Sequence, residues 1–208
     1  MKFSTKIGNP LLAGATKINK GVNFAIVVEG CDKCPTLKIL KKGTCEEVAE
    51  LTFDENMKFG NIYAMEVSEF DTKKYDYMYM SGELVVPDKY AKVVNNRETF
   101  GVRSTATYSI YENRYTWQEE KPKVSFDDAI IYRMHVRGFT AHKSSGTRYK
   151  GTFKGIVSKI PYLKELGVNV IELMPAYEFN EVKSAVLKDD SINYWGYSDG
   201  YYFAPKAS

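Results

Sequence analysis

Thr152-Phe153-Lys154-Gly155-Ile156-Val157-Ser158-Lys159-Ile160-Pro161-Tyr162-Leu163-Lys164-Glu165-Leu166-Gly167-Val168-Asn169-Val170-Ile171-Glu172-Leu173 carries a helical period that gives way to a strand. Phe153, Ile156, Val157, Ile160, Leu163 and Leu166 recur at i, i+3, i+4, i+7 intervals, which places them on one face of a helix. Thr152 is a suitable N-cap and Gly167 a suitable C′ residue. Pro161 inside the run must kink or restart the helix, because it has no N–H for the i−4 carbonyl. Val168 to Leu173 then reads as a strand, stopped by Pro175. Upstream, Ala129 to Val136 is a mostly apolar strand followed by a Gly/Ser/Lys loop. Strand, helix and strand of these lengths make one βαβ unit and a parallel sheet. Parallel sheets bury both faces, which two strands cannot do, so this half reads as the opening of a larger α/β domain.

The first half has a different period. Val22–Val28, Thr36–Leu40, Val48–Phe53, Ile62–Val67 and Tyr75–Met80 are short strand-like runs, punctuated by Gly30, Gly43, Gly60, Asn61 and Gly82. Repeated short strands between turn residues predict a β-sandwich. Tyr75, Tyr77 and Tyr79 alternate along one of them and so share a face. That row is either sheet packing or a platform for stacking sugars, and packing is favoured because aromatics fit a half-buried sheet. Residues 95–126 are polar and mixed, and read as a connection draped over the surface by Phe100, Val102, Tyr108, Ile110, Tyr111 and Trp117.

Composition narrows the function. The 208 residues carry 29 Lys+Arg and 26 Asp+Glu, a net charge of +3. That balance is too mild to indicate a nucleic-acid or membrane partner. Val22–Val28 is the longest aliphatic run, is interrupted by Asn23 and is far short of the ~20 residues of a membrane span. Met1 to Lys6 is not followed by an apolar h-region, so a cytoplasmic chain is expected unless a leader has been removed. Cys31-Asp32-Lys33-Cys34 reads as a turn between strands rather than a redox pair or half a zinc site, since the flanks are strands and Cys45, His135 and His142 lack ligand spacing. No metal and no cofactor are expected. The composition departs from the ordinary in its aromatics, 14% of the chain.

Several motifs together resemble glycoside hydrolase family 13, in its pullulanase and isoamylase branch. Ile131-Tyr132-Arg133-Met134-His135-Val136-Arg137-Gly138-Phe139-Thr140 resembles the first barrel strand, and Lys150 to Gly155 with Pro161 to Val168 the first helix. Glu172-Leu173-Met174-Pro175 is similar to the end of the second strand. Asn193-Tyr194-Trp195-Gly196-Tyr197, running into Tyr202-Phe203-Ala204-Pro205, resembles the loop that follows it. Gly8 to Thr16 with Gly21 to Ala25 is similar to the start of the sandwich preceding the barrel in glycogen-debranching enzymes, a module related to family 48 carbohydrate-binding modules. Pro87-Asp88-Lys89-Tyr90-Ala91-Lys92 resembles the stretch that closes it, with Lys89 where proline is usual.

The resemblance implies an Ig-like β-sandwich at 1–98, a connection at 99–126 and the truncated start of a (β/α)8 barrel at 127–208. That last segment has 82 residues (208 minus 126) against the ~250 of a whole barrel. It also implies an N-terminal portion of an enzyme that hydrolyses α-1,6-glucosidic bonds in glycogen, starch or pullulan. Retaining hydrolysis uses a nucleophile and an acid/base carboxyl. The family carries these, with a third carboxylate, on later barrel strands, so no catalytic residue is assigned here and the chain by itself is expected to be inactive. Glu172 is expected to be a structural carboxylate with a basic partner, and His135 and Arg137 to hydrogen-bond within the barrel wall. Tyr197 matches the family's aromatic that stacks on the sugar ring where cleavage occurs, with Trp195 and Tyr194 as its supports; the alternative for Tyr197 is loop packing. The implied partner is an α-glucan polysaccharide or branched oligosaccharide. Two rival readings stay open: an α-glucan-binding module, and a structural buttress without a glycan site.

Overall fold

The computed structural model describes residues 3–30, 33–95, 106–112, 115–181 and 192–207, mostly sheet with few, short helices. The described residues of 1–113, 177–191 and 199–208 form one compact unit, and those of 114–176 and 192–198 a second.

The first unit begins with β1 (Thr5–Ile7), β2 (Gly14–Ile18), β3 (Gly21–Val27), β4 (Thr36–Lys41) and β5 (Glu47–Thr52). It continues with β6 (Lys58–Phe59), β7 (Ile62–Ser68), β8 (Tyr75–Ser81), β9 (Leu84–Val86), β10 (Val94–Asn95) and β11 (Thr107–Tyr108). One antiparallel sheet has the order β1-β7-β3-β2, with β6 also on β7; the other runs β10-β11-β8-β4-β5, with β9 also on β8. Side chains at alternate positions of both sheets meet in one core. Val22, Phe24 and Ile26 of β3 and Tyr63, Met65 and Val67 of β7 come from the first sheet. Leu37 and Ile39 of β4, Tyr75, Tyr77 and Tyr79 of β8, and Tyr108 of β11 come from the second. The tyrosine row is therefore packing: Phe24 meets Tyr77 edge-on at 5.2 Å, and Tyr77 meets Tyr79 at 5.5 Å.

The opposite face of β3 carries a buried polar residue. Asn23, inside β3, is fully buried and clamps the loop after β1. Its amide donates to the carbonyls of Asn9 at 3.1 Å and Leu12 at 3.3 Å, and its Oδ1 accepts from the Asn9 N–H at 2.7 Å. Gly8 is required beside it, because a Cβ there would lie 2.7 Å from both Asn23 Oδ1 and the Met65 nitrogen.

Two expectations for this region are corrected. The segment 99–126 is not simply a draped connection: β11 pairs with both β8 and β10 inside the second sheet, and Tyr108 and Ile110 are buried in the core. A two-residue strand is too short to show a period in the sequence. Tyr111 and Trp117 are exposed rather than anchoring, while Phe100 and Val102 lie outside the described residues. Nor does the second unit take all of 127–208. β14 (Tyr177–Phe179) and β15 (Gly200–Pro205) pair antiparallel and belong to the first unit. Aromatic contact holds them there: Phe203 stacks on Tyr90 at 5.4 Å, and the Tyr201 and Tyr108 hydroxyls are 3.1 Å apart. Lys206 pairs with the buried Glu178 at 3.0 Å and Glu181 at 3.5 Å.

The second unit contains β12 (Ile131–Met134), α1 (Val136–Ala141), α2 (Phe153–Ser158), α3 (Ile160–Glu165) and β13 (Val170–Leu173). β12 and β13 are parallel and in register, Ile131 opposite Val170 through Met134 opposite Leu173. The expected break at Pro161 is present: α2 ends at Ser158, and α3 restarts with the proline in its first turn, where a missing N–H costs nothing. Thr152 caps α2 by accepting from the Gly155 N–H at 3.1 Å, and Gly167, at φ +80°, lets the Val168 N–H reach back to the Leu163 carbonyl at 3.0 Å. α1 replaces the end of the expected strand at Val136 and the start of the expected loop, where Val136, Gly138 and Thr140 are poor helix formers. Met134, Ile156 and Leu163 form a small core, while Ile131, Ile171 and Leu173 on the two strands stay exposed. Among the described residues, no helix is long and apolar enough to cross a membrane. Cys34 donates its thiol to Glu55 at 3.2 Å, while Cys31 of the C-x-x-C lies outside the described residues.

Candidate functional site

Parallel strands open their C-terminal ends to the loops where α/β sheets place ligands. In the second unit those ends carry Arg133 and Glu172, each one residue from the end of its strand. Parallel register sets them side by side, and Arg133 Nε lies 3.2 Å from Glu172 Oε1. Glu172 thus has the basic partner expected of it, but the pair is not buried: 57% of the arginine and 55% of the glutamate side chain are accessible. An ion pair that open contributes little to stability. Its consequence is geometric. With Nε held, Arg133 directs Nη2 to the hydroxyl of Tyr197, donating at 2.5 Å. The far end of the Tyr197 ring is thereby tethered while 58% of the residue stays exposed.

The loop that carries Tyr197 is built from short-range bonds. Asn193 accepts from the Gly196 N–H at 3.1 Å through Oδ1 and donates to Ser198 Oγ at 2.9 Å. Gly196 sits at φ +77°, a conformation that side chains with a Cβ rarely adopt. The turn therefore needs the Asn-x-x-Gly pattern seen in the sequence.

His135, the residue after β12, joins this loop to the strand. Its Nε2 is 3.0 Å from the Tyr194 carbonyl oxygen, its ring stacks on the Tyr194 ring at 4.6 Å, and it meets the edge of Trp195 at 5.5 Å. Burial lowers its pKa below the ordinary histidine value; the Tyr194 carbonyl opposes this and the charge of Arg137 adds to it.

Of the three residues expected at a sugar site, Tyr197 and Trp195 are exposed, at 58% and 54%, and Tyr194 is half-buried. Tyr194 and Trp195 are in contact, edge to face at 5.3 Å. Arg133 and His135 are the members that sequence reasoning did not place at the loop. Their signal was present: they alternate on one face of a strand whose other face buries Met134. No group of His, Cys, Asp and Glu among the described residues is arranged to hold a metal ion. Asp189 and Asp190, two of the local carboxylates in the sequence, lie outside the described residues.

No family model matches the chain. Comparison with curated proteins is more informative. The chain is 34% identical to isoamylase SU1, chloroplastic, of Zea mays across 96% of its own length and 28% of that protein. It is 31% identical to isoamylase 1, chloroplastic, of Arabidopsis thaliana across 98% of its length and 30% of that protein. It thus spans under a third of the length of the curated relatives it matches. Among solved structures, the pullulanase of Anoxybacillus sp. LM18-11 in complex with maltotriose superposes with a TM-score of 0.71 at 25% identity, over 94% of this chain and 29% of that one. The Group B Streptococcus pullulanase SAP with maltotetraose gives 0.69 at 26%, over 93% of this chain and 28% of that one. The motifs on the two parallel strands and the Asn-Tyr-Trp-Gly-Tyr loop agree with these relationships, and the chain belongs to the pullulanase and isoamylase branch of glycoside hydrolase family 13.

Proposed function

We propose that this chain is the N-terminal portion of a debranching glycoside hydrolase acting on α-1,6-glucosidic bonds of an α-glucan, and that it supplies a sugar-stacking surface rather than the catalytic carboxylates. In this reading the first unit is an Ig-like sandwich related to family 48 carbohydrate-binding modules, and the second is the opening of a (β/α)8 barrel. Tyr197 is the stacking residue, with Trp195 and Tyr194 beside it. The observation that carries the proposal is the Glu172–Arg133–Tyr197 chain at the ends of the two parallel strands. It holds an exposed aromatic ring by its hydroxyl and leaves the ring available to the C–H groups of a pyranose. A ring held in place before binding loses less rotamer freedom when the sugar arrives. Maltotriose and maltotetraose are bound by the pullulanases named above, which supports a glucan rather than another polyol as the ligand.

Titration of the 208-residue chain with maltotetraose, read from tryptophan fluorescence, tests this. Weak saturable binding is expected, lowered about tenfold or more by Tyr197→Ala, the loss of one aromatic contact of 1.4 kcal/mol or so. Binding that Tyr197→Ala leaves unchanged would reject the site. Release of reducing ends from pullulan by the chain alone would reject the claim that it is inactive by itself. Retardation in glycogen-containing gels that survives Tyr197→Ala would favour the rival reading, in which the sandwich is the binding module.

A further inference from the structure

The hydrogen bonds of His135 leave it one neutral tautomer. The Gly138 N–H, in the first turn of α1, points at Nδ1 at 3.1 Å. A nitrogen that accepts from an N–H carries no proton, so the proton of the neutral ring is on Nε2. Nε2 is 3.0 Å from the Tyr194 carbonyl, which can only accept. In the neutral ring the two bonds thus require each other, and both are lost if the proton moves to Nδ1 or the ring is flipped. The ring also stacks on Tyr194 and meets Trp195. Gly138 is part of the same fit, since a Cβ there would come within 3.2 Å of the Tyr194 hydroxyl.

We infer that His135, as its neutral Nε2–H tautomer, is the positioning residue of the 193–198 loop, so that the presentation of Trp195 and Tyr197 depends on the bond from Nε2–H to the Tyr194 carbonyl. This rests on the proposal that the loop is the glucan site only for its biological consequence; the positioning itself does not require it. The groups that face His135 are consistent with a ring kept neutral. Arg137 on α1 adds positive charge, and Tyr194 of the loop offers a carbonyl and a ring face. Arg133 on β12 and Glu172 on β13 are engaged with each other and with Tyr197.

Two measurements on the 208-residue chain test the inference. The chain has two histidines, so a long-range 1H–15N spectrum assigns the tautomer of each; Nε2–H is expected for His135, and Nδ1–H would overturn the inference. The second measurement uses a Trp117→Phe background, in which Trp195 is the remaining tryptophan, and follows acrylamide quenching with far-UV circular dichroism as the folding control. His135→Asn keeps an acceptor for the Gly138 N–H but is too short to reach Tyr194, whereas His135→Ala loses both bonds. A lost hydrogen bond raises the open-loop population about fivefold or more, so both variants should expose Trp195 to quencher. Acidification of the unsubstituted chain should leave Trp195 shielded, because a protonated ring still donates from Nε2 to the Tyr194 carbonyl. Quenching that His135→Asn restores to the original value would reduce His135 to a helix cap and overturn the inference, as would quenching that neither variant changes. If His135→Ala does not fold, the tautomer and the His135→Asn comparison still decide. The glucan proposal is separated by a maltotetraose titration of the same samples. Altered quenching without maltotetraose binding refutes the glucan site alone. Binding with quenching unaffected by either variant refutes the positioning role alone.

Discussion

Replacing Asp88 by asparagine should stabilise the first unit at neutral pH and remove part of its pH dependence. Asp88 is fully buried in the turn after β9. Its Oδ2 accepts from the Tyr77 hydroxyl at 2.7 Å, its Oδ1 from the Tyr90 N–H at 3.0 Å, and its own N–H donates to the Tyr108 hydroxyl at 3.1 Å. Both side-chain bonds favour the carboxylate, yet burial outweighs them and lifts the pKa from 3.8 to about 6. At ~1.4 kcal/mol per pH unit, that difference corresponds to about 3 kcal/mol. The sign follows from proton binding. The folded chain holds this proton more tightly than the unfolded chain, so stability from this group is fully present below about pH 4 and is lost as pH rises through about 6. An asparagine keeps an acceptor for the Tyr90 N–H and can donate to the Tyr77 oxygen, without a charge to bury. Urea unfolding at a series of pH values is the assay, with near-UV circular dichroism of the tyrosines followed alongside tryptophan fluorescence. Trp117 and Trp195 both lie in the second unit, so tryptophan fluorescence follows that unit, and the buried tyrosines of β8 and β11 contribute their near-UV signal from the first. All other carboxylates titrate alike in both proteins and cancel in the difference. The stability of Asp88→Asn minus that of the original chain should therefore grow by about 2–3 kcal/mol between pH 4 and pH 7.5. A difference that stays constant across this range would refute the reasoning, whatever its absolute value.

Three further changes test the packing account. Tyr79→Phe should leave the first unit as stable or raise it by about 1 kcal/mol, because the Tyr79 hydroxyl is buried without a hydrogen-bond partner among the described residues; a clear loss in urea unfolding would contradict this. Asn23→Ala removes three bonds that clamp residues 9–12 and should cost about 2–3 kcal/mol, checked by thermal melting followed at the tyrosine band. Gly167→Ala forces a Cβ into φ +80° at the end of α3 and should cost about 1 kcal/mol, read as a lower urea midpoint of the tryptophan signal with the tyrosine signal of the first unit unchanged.

The local periodicities of this chain are strong, so much of its secondary structure was legible. β3, β4, β5, β7 and β8 lie within a residue or so of the runs read from the sequence, because each is a short apolar-rich run with turn residues between it and the next. The βαβ unit, the restart at Pro161 and the Thr152 and Gly167 caps were equally readable, since each depends on a residue's own backbone preference. The very short strands escaped, as did α1, because two or three residues carry no period and Gly138 argues against helix. Tyr108 shows the limit: its core position depends on pairing with β8, thirty residues earlier, which no local pattern records.

The candidate site divides in the same way. In the sequence, resemblance to family 13 pointed to Asn193 to Tyr197 as a loop following a strand, with Tyr197 as its expected stacking residue. Only the tertiary structure brought Arg133 to its hydroxyl, 64 positions away, and His135 to the Tyr194 carbonyl, 59 positions away. Likewise, β14 and β15 are in the first unit because Tyr201 and Phe203 find Tyr108 and Tyr90, not because of where they stand in the chain. Backbone preference and hydrophobic period act over a few residues and can be read from them. Parallel register, a shared hydrogen bond and the contact of two rings act through space, and exist only once the chain has closed the distance.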